Sequence, residues 1–221
     1  MPTSFPITAV IINYQTPDIT KAALTSFRKI YPQVPILLID NGSKDNSREV
    51  LIRIVDNNPD LIKLVANEKN FHHGPAMHQA IGLLQDEFIF FLDSDCEVIK
   101  GGFIERMLKE LASDNKNYAA GKLIHMNKRG FDVDPDGKST KYIRPICMLI
   151  RRSLYKGLEP FQYHGAPCLK NMIDASKRGY NLLDFKIEDY IHHKGRGTAS
   201  RFGYNLGIRG KINYILNKIG M

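Results

Sequence analysis

The chain has 221 residues, 43% hydrophobic and 24% charged, which suits one sizeable soluble core and is short for two independent domains. A net charge of +8 and a pI near 9.3 point to acidic partners such as nucleotide phosphates or an anionic membrane face. The basic residues are scattered and no aromatic-basic repeat appears, so no nucleic-acid partner is expected. Cys96, Cys147 and Cys168 lie far apart without a paired ligand spacing, so reduced thiols and a cytoplasmic setting are expected. Thr8 to Ile12 has no basic leader before it and is too short for a signal peptide or a span, and no other run approaches transmembrane length.

A β-branched run predicts a first strand over Ile7 to Ile12, ending at Asn13-Tyr14-Gln15-Thr16. Thr16 followed by Pro17 predicts a helix start, a capping hydroxyl and then a proline where a missing N–H costs nothing, with the helix running to about Tyr31. A second strand over Ile36 to Ile39 ends at Asp40-Asn41-Gly42-Ser43, and Asn46 or Ser47 caps a helix to about Val55. Ile62 to Ala66 is the third strand, and a loop with Asn70, His72, His73 and Gly74 leads into a helix from about Pro75 to Leu84. The fourth strand, Phe88 to Leu92, ends in Asp93-Ser94-Asp95.

Strict alternation of short apolar strands with helices demands right-handed crossovers and a mostly parallel sheet in an α/β three-layer sandwich. In such sheets ligands bind outside the carboxyl ends of the strands, where Asn13, Asp40, Asn70, Asp93 and Asp95 all fall. Side chains alternate along an extended chain, so Asp93 and Asp95 leave the strand end on the same side. Two hard oxygen ligands there suit Mg²⁺ or Mn²⁺, and such an ion brings a phosphate-bearing substrate with it. Asp and Ser are also ordinary turn formers, so the weight lies on the coincidence of strand ends rather than on the tripeptide.

Beyond Asp95 a helix is expected from about Gly102 to Ser113 and a strand near Tyr118 to Ile124. Asn127 to Lys141, with Asp132, Asp134, Asp136, two glycines and a proline, reads as a flexible loop. Its Asp132-Val-Asp-Pro-Asp-Gly stretch breaks the calcium-loop ligand series at the proline, and no glutamate closes it. A strand over Ile146 to Ile150, a helix over Ala166 to Arg178 ended by Gly179, and a strand over Leu182 to Phe185 complete the core. In His192-His193-Lys194-Gly195-Arg196 the adjacent histidines point to opposite faces, so at most one is expected to hold a metal, while Lys194, Arg196 and flexible backbone suit a pyrophosphate. Residues 201 to 221 form a basic amphipathic tail, either packed on the domain or lying on anionic lipid.

Val10-Ile-Ile-Asn-Tyr, Leu38-Ile-Asp40-Asn-Gly-Ser-Lys-Asp45-Asn-Ser, Phe91-Leu-Asp93-Ser-Asp95 and His192-His193-Lys-Gly, in this order, resemble the inverting nucleotide-sugar glycosyltransferases of family two, of GT-A fold. The resemblance spans Thr8 to about Thr198 and implies one catalytic domain over 1–200 followed by the tail. It implies that Asp40 accepts hydrogen bonds from the nucleotide base, with Asn13 and Gln15 lining the same pocket. Asp93 would sit near the ribose or the ion, Asp95 would bind Mn²⁺ or Mg²⁺, and His192 or His193 would be the second protein ligand. The implied reaction moves a sugar, with inversion, from a nucleoside diphosphate sugar to a polysaccharide, glycan or lipid-linked acceptor, at the cytoplasmic face with peripheral membrane contact as an option.

Two departures from the family pattern stand out. His72 and His78 occupy two positions of the expected asparagine-glycine motif, although Asn70 is kept. Where the family places a Glu-Asp pair to deprotonate the acceptor, this chain reads His164-Gly165-Ala166-Pro167-Cys168. His164 is one candidate base, its ordinary pKa near ~6.5 suiting proton transfer. Asp132, Asp134 or Asp174 reaching in is a second option, and a sugar-nucleotide-binding module with impaired catalysis is the alternative function. A sugar-nucleotide pyrophosphorylase is disfavoured, because Asn13-Tyr-Gln-Thr-Pro lacks the glycine-rich loop such enzymes carry after strand one.

Overall fold

The structure, a computed structural model, describes residues 7–127, 129–163 and 165–194. Nine strands and six α-helices follow in the order β1 (Ile7–Asn13), α1 (Pro17–Ile30), β2 (Ile36–Asp40), α2 (Ser47–Asp56), β3 (Ile62–Ala66), α3 (His73–Leu83), β4 (Phe88–Leu92), β5 (Cys96–Val98), α4 (Phe103–Ala112), β6 (Asn117–Met126), β7 (Thr140–Arg151), α5 (Arg152–Tyr155), α6 (Leu169–Lys177), β8 (Asn181–Asp184) and β9 (Ile191–His193). A seven-stranded sheet has the order β3-β2-β1-β4-β7-β6-β8, and β5 pairs with β9 in a separate ribbon. Within the large sheet β7 alone runs against its neighbours, so the mostly parallel α/β sandwich expected from the alternation is present.

The apolar strands are buried on both faces, which is why they read as unbroken runs. Ile7, Ala9 and Ile11 of β1, with Phe90 and Leu92 of β4, turn towards α1, α2 and α4, packing on Leu24, Phe27, Leu51, Phe103 and Met107. The alternate residues Val10, Ile12, Ile89 and Phe91 turn to the other side, against Met77 and Ile81 of α3 and Met172 of α6. Each strand thus fixes both helical layers, and its carboxyl end is left at the rim between them.

Besides the unexpected β5, β9 and α5, and an α2 start held by Asp45 on the Ser47 N–H rather than by an Asn46 or Ser47 side-chain cap, two further elements differ from the sequence-based expectation. The segment expected to stay a loop as far as Lys141 already joins β7 at Thr140, and the strand expected from Ile146 is twelve residues long. The reason is an interruption in the ladder: Gly121 pairs with Met148 but Leu123 pairs with Ile143, so Lys122 alone opposes residues 144–147. Thr16 does precede α1, yet its side chain makes no capping bond and its buried hydroxyl has no partner; Pro17 supplies the start. Residues 201–221, expected as a basic tail, lie outside the described residues.

Candidate active site

Parallel register places Asn13 beside Asp40 at the ends of β1 and β2, and both side chains are buried. The Asn13 amide donates to Asp40 Oδ1 (2.9 Å) and to Ser43 Oγ (3.2 Å), while the Ser43 hydroxyl donates to the same carboxylate oxygen at 2.5 Å. Thr20 Oγ1 donates to Asn13 Oδ1 (2.8 Å), which fixes the amide orientation, and the Gln15 backbone N–H donates to Ser43 Oγ (2.9 Å). Asp40 is therefore a pre-oriented acceptor whose rotamer is set before any ligand arrives.

The next loop is stitched to this corner by Asn41, a residue sequence reasoning did not single out. Its amide donates to Asn70 Oδ1 (3.1 Å) and the His72 carbonyl (3.2 Å), and its oxygen accepts from Asn67 Nδ2 (3.1 Å) and the Phe71 N–H (3.2 Å). Gly42, at φ +72°, lies so close to Lys69 that a Cβ there would stand 2.2 Å from its carbonyl carbon. His72 adopts φ 71°, ψ 170°, a backbone region belonging almost entirely to glycine, and its N–H is held by Asn70 Oδ1 at 2.7 Å. Asn70 thus braces the loop through its oxygen. Gln15 and Tyr163 are the other described non-glycine residues at positive φ, and the Gly74 N–H donates to the Tyr163 carbonyl (2.9 Å).

The double aspartate meets two histidines. His73, first residue of α3, brings Nε2 to 3.5 Å from Asp93 Oδ1, and His193, last residue of β9, brings Nε2 to 3.2 Å from Asp95 Oδ1. Antiparallel pairing sets Cys96 opposite His193 and Glu97 opposite His192, so the two adjacent histidines lie on opposite faces of the ribbon, as alternation requires. His193 faces the aspartates. Desolvation pushes the Asp93 carboxyl above its ordinary range, and His73 pulls it back. The hydrogen bond to Asp95 holds the His193 imidazole above its ordinary pKa.

Ligand atoms of Asp95, Cys96 and His193 converge within 4.8 Å of one another. Burial drives the Cys96 thiol well above its usual pKa, and Cys96 Sγ points to the Ile146 carbonyl at 3.6 Å, so a thiolate ligand is disfavoured there. Carboxylate oxygens with one imidazole remain, a donor set that fits a divalent ion such as Mn²⁺ or Mg²⁺. His73 was not proposed from sequence; its position twenty residues before Asp93 carries no spacing signal, and only the helix start brings the two together.

Other expected site residues are placed as follows. Lys194 lies at the ribbon end with its backbone N–H on the Asp95 carbonyl (3.0 Å), but its ammonium sits 2.5 Å from Glu97 Oε1. Asp174 is in the second half of α6, bound to Arg178 Nε (3.1 Å) and the Glu159 N–H (3.1 Å), and since α6 runs away from the strand-end rim it is carried towards the opposite edge. Asp132 pairs with Arg144, and Asp134 is exposed on the same β6–β7 connection. His78 bonds Tyr155 through Nδ1 (2.8 Å). His164 and Arg196 lie outside the described residues.

A mixed sheet of this order, with a buried aspartate at the end of β2 and a double aspartate beyond β4, defines an α/β fold of the GT-A class. The chain belongs to glycosyl transferase family 2, whose model matches residues 8–179. A Mycobacterium tuberculosis (strain CDC 1551 / Oshkosh) protein whose name places it among the glycosyltransferases is 30% identical over 154 residues, covering 70% of this chain and 44% of that protein. An uncharacterised glycosyltransferase of Haemophilus influenzae is 32% identical over 108 residues, 46% of this chain and 42% of its own. The chain spans less than half the length of these relatives. Among solved structures, a Pyrobaculum calidifontis mannosyltransferase in complex with GDP-Man and Mn²⁺ aligns with a TM-score of 0.63 at 15% identity, covering 83% of this chain and 56% of its own. GalNAc-T7 with UDP, GalNAc and Mn²⁺ aligns with a TM-score of 0.68 at 14% identity, covering 85% and 42%. These structural likenesses establish the fold. Among the described residues no helix is long and apolar enough to cross a membrane.

Proposed function

We propose that the chain carries the donor site of a metal-dependent glycosyltransferase, which moves a sugar from a nucleoside diphosphate sugar to a hydroxyl of a glycan, polysaccharide or lipid-linked acceptor with inversion. The observation that carries the reading is the meeting of Asp93 and Asp95 with His73 and His193 at the end of β4. It is supported by family membership and by the GDP-Man, UDP and Mn²⁺ held by the solved proteins of the same fold.

Asp40 accepts from the base edge, with Asn13 and Gln15 beside it and Asn70 bracing the facing loop. Asp95 and His193 hold the divalent ion, and Asp93 completes the charge near the ion or the ribose. The ion supplies charge neutralisation for the departing diphosphate. His193 must be neutral to serve, and its bond to Asp95 fixes the ring towards the site. Lys194 and Arg196 add positive charge at the diphosphate, and the acceptor hydroxyl approaches from the opposite face, where the chain must take its proton. His164 is the favoured proton acceptor, since Asp174 is tied to Arg178 and the Glu159 N–H. Work at the cytoplasmic face, with residues 201–221 touching anionic lipid, fits the basic tail.

A second reading, a binding module that turns its ligand over poorly, is favoured by the missing Glu-Asp pair alone. Hydrolysis of UDP- and GDP-sugars in the presence of Mn²⁺ separates the two. Release of sugar from at least one donor, lost in Asp95→Ala, is the expected result; donor binding without any turnover selects the module.

A further inference from the structure

Every described cation of the site has an acidic partner, and one of them stands where sequence reasoning placed none. The interruption of the β6–β7 ladder leaves residues 144–147 opposite Lys122 alone, and the freed segment attaches to the end of β4 instead, the Asp93 N–H donating to the Ile146 carbonyl at 2.9 Å. Because β7 runs antiparallel to β4, residues before Ile146 extend past the end of β4, over the double aspartate. Pro145 has no N–H to return the segment to the ladder. Arg144 is therefore carried beyond the end of β4, two residues from the carbonyl that holds the Asp93 N–H.

We infer that Arg144 binds the diphosphate of the donor, a role no family motif in the chain gives it. The inference rests on the proposed donor site and deepens it. Asp132, on the same β6–β7 connection, pairs with the guanidinium and presets its direction. With side chains 37% and 55% exposed, the pair contributes little stability, so Arg144 exchanges a carboxylate for a phosphate at small cost. A guanidinium offers two parallel donors to phosphate oxygens, which an ammonium does not. Lys194 is paired in the same way with Glu97, and its single ammonium adds charge at the diphosphate without the second parallel donor.

The test is titration of wild type, Arg144→Met and Arg144→Lys with UDP and GDP, and with the matching nucleoside monophosphates, in the presence of Mn²⁺. For the nucleoside diphosphate that binds wild type, Arg144→Met is expected to weaken binding about ten-fold or more while changing monophosphate binding less than about two-fold, with Arg144→Lys between them. Affinity for Mn²⁺ alone should not fall, since a cation beside the ion site is being removed. Equal losses for di- and monophosphate, or weakened Mn²⁺ binding, would assign Arg144 a structural role and overturn the inference. No loss at all would overturn it as well and leave the donor site standing. Failure of wild type to bind either diphosphate would overturn the donor-site reading and this inference with it.

Discussion

At the scale of single residues, His72 is the most informative position. Its imidazole-bearing Cα is forced into glycine's territory, held from both sides by Asn41 and Asn70. Strain of this kind costs on the order of 1–3 kcal/mol. His72→Gly is therefore expected to raise the denaturant midpoint, with a gain of about 1 kcal/mol, and an unchanged or lowered midpoint would show that the side chain repays its backbone. Asp174 gives a pH-dependent expectation. The hydrogen bond to Arg178 holds its carboxyl below the ordinary range, so its stabilisation is present above the unfolded value near ~3.9 and is lost as pH falls through the lower folded value. Asp174→Asn should flatten the acid limb of the stability profile and leave transfer rates alone; a lost rate at neutral pH with unchanged stability would make it the proton acceptor instead. Asp93 and Asp95 were legible as a pair from their place after an apolar strand, although a turn closed by the Cys96 N–H on the Asp93 carbonyl holds them rather than extended chain, whereas the His73 partner depends on two chain segments meeting and leaves no local trace.

At the scale of elements, β1, β2 and β4 were legible because each is a short apolar run buried on both faces and closed by turn residues, and β3, at the sheet edge with Lys63 exposed, by its remaining apolar residues. Strands β5 and β9 were not, since three residues show no period and their pairing spans almost a hundred residues of chain. The long β7 was half-hidden for another reason: its bulge breaks the alternation and its first residues follow a loop rich in aspartate and glycine. The ribbon predicts an asymmetry between neighbours. His193→Ala should weaken Mn²⁺-dependent nucleotide binding by about ten-fold or more, while His192→Ala, on the other face opposite Glu97, should change it little. The reverse order in a calorimetric comparison would contradict the facing assigned here. Gly74 tests how α3 is seated. A Cβ there would lie 2.6 Å from the carbonyl carbon and oxygen of Gln162, so Gly74→Ala should cost about 1–3 kcal/mol, measurable by chemical denaturation.

At the scale of the whole molecule, the fold gathers polar residues from four strand ends onto one rim and supplies little else. The described chain is nearly all sheet and flanking helices, and its match covers less than half of either relative. Donor chemistry is thus the part of the proposed function that the described residues support most directly. Three buried cysteines pack as apolar groups and offer no exposed thiol. Calorimetric titration of wild type and Asp95→Ala with UDP and GDP, with and without Mn²⁺, decides whether the strand-end rim is a metal-dependent nucleotide site. One diphosphate is expected to bind wild type only when Mn²⁺ is present, and Asp95→Ala to lose this binding while keeping its fold. Binding that ignores both the ion and the substitution, or no binding of either diphosphate, would contradict it.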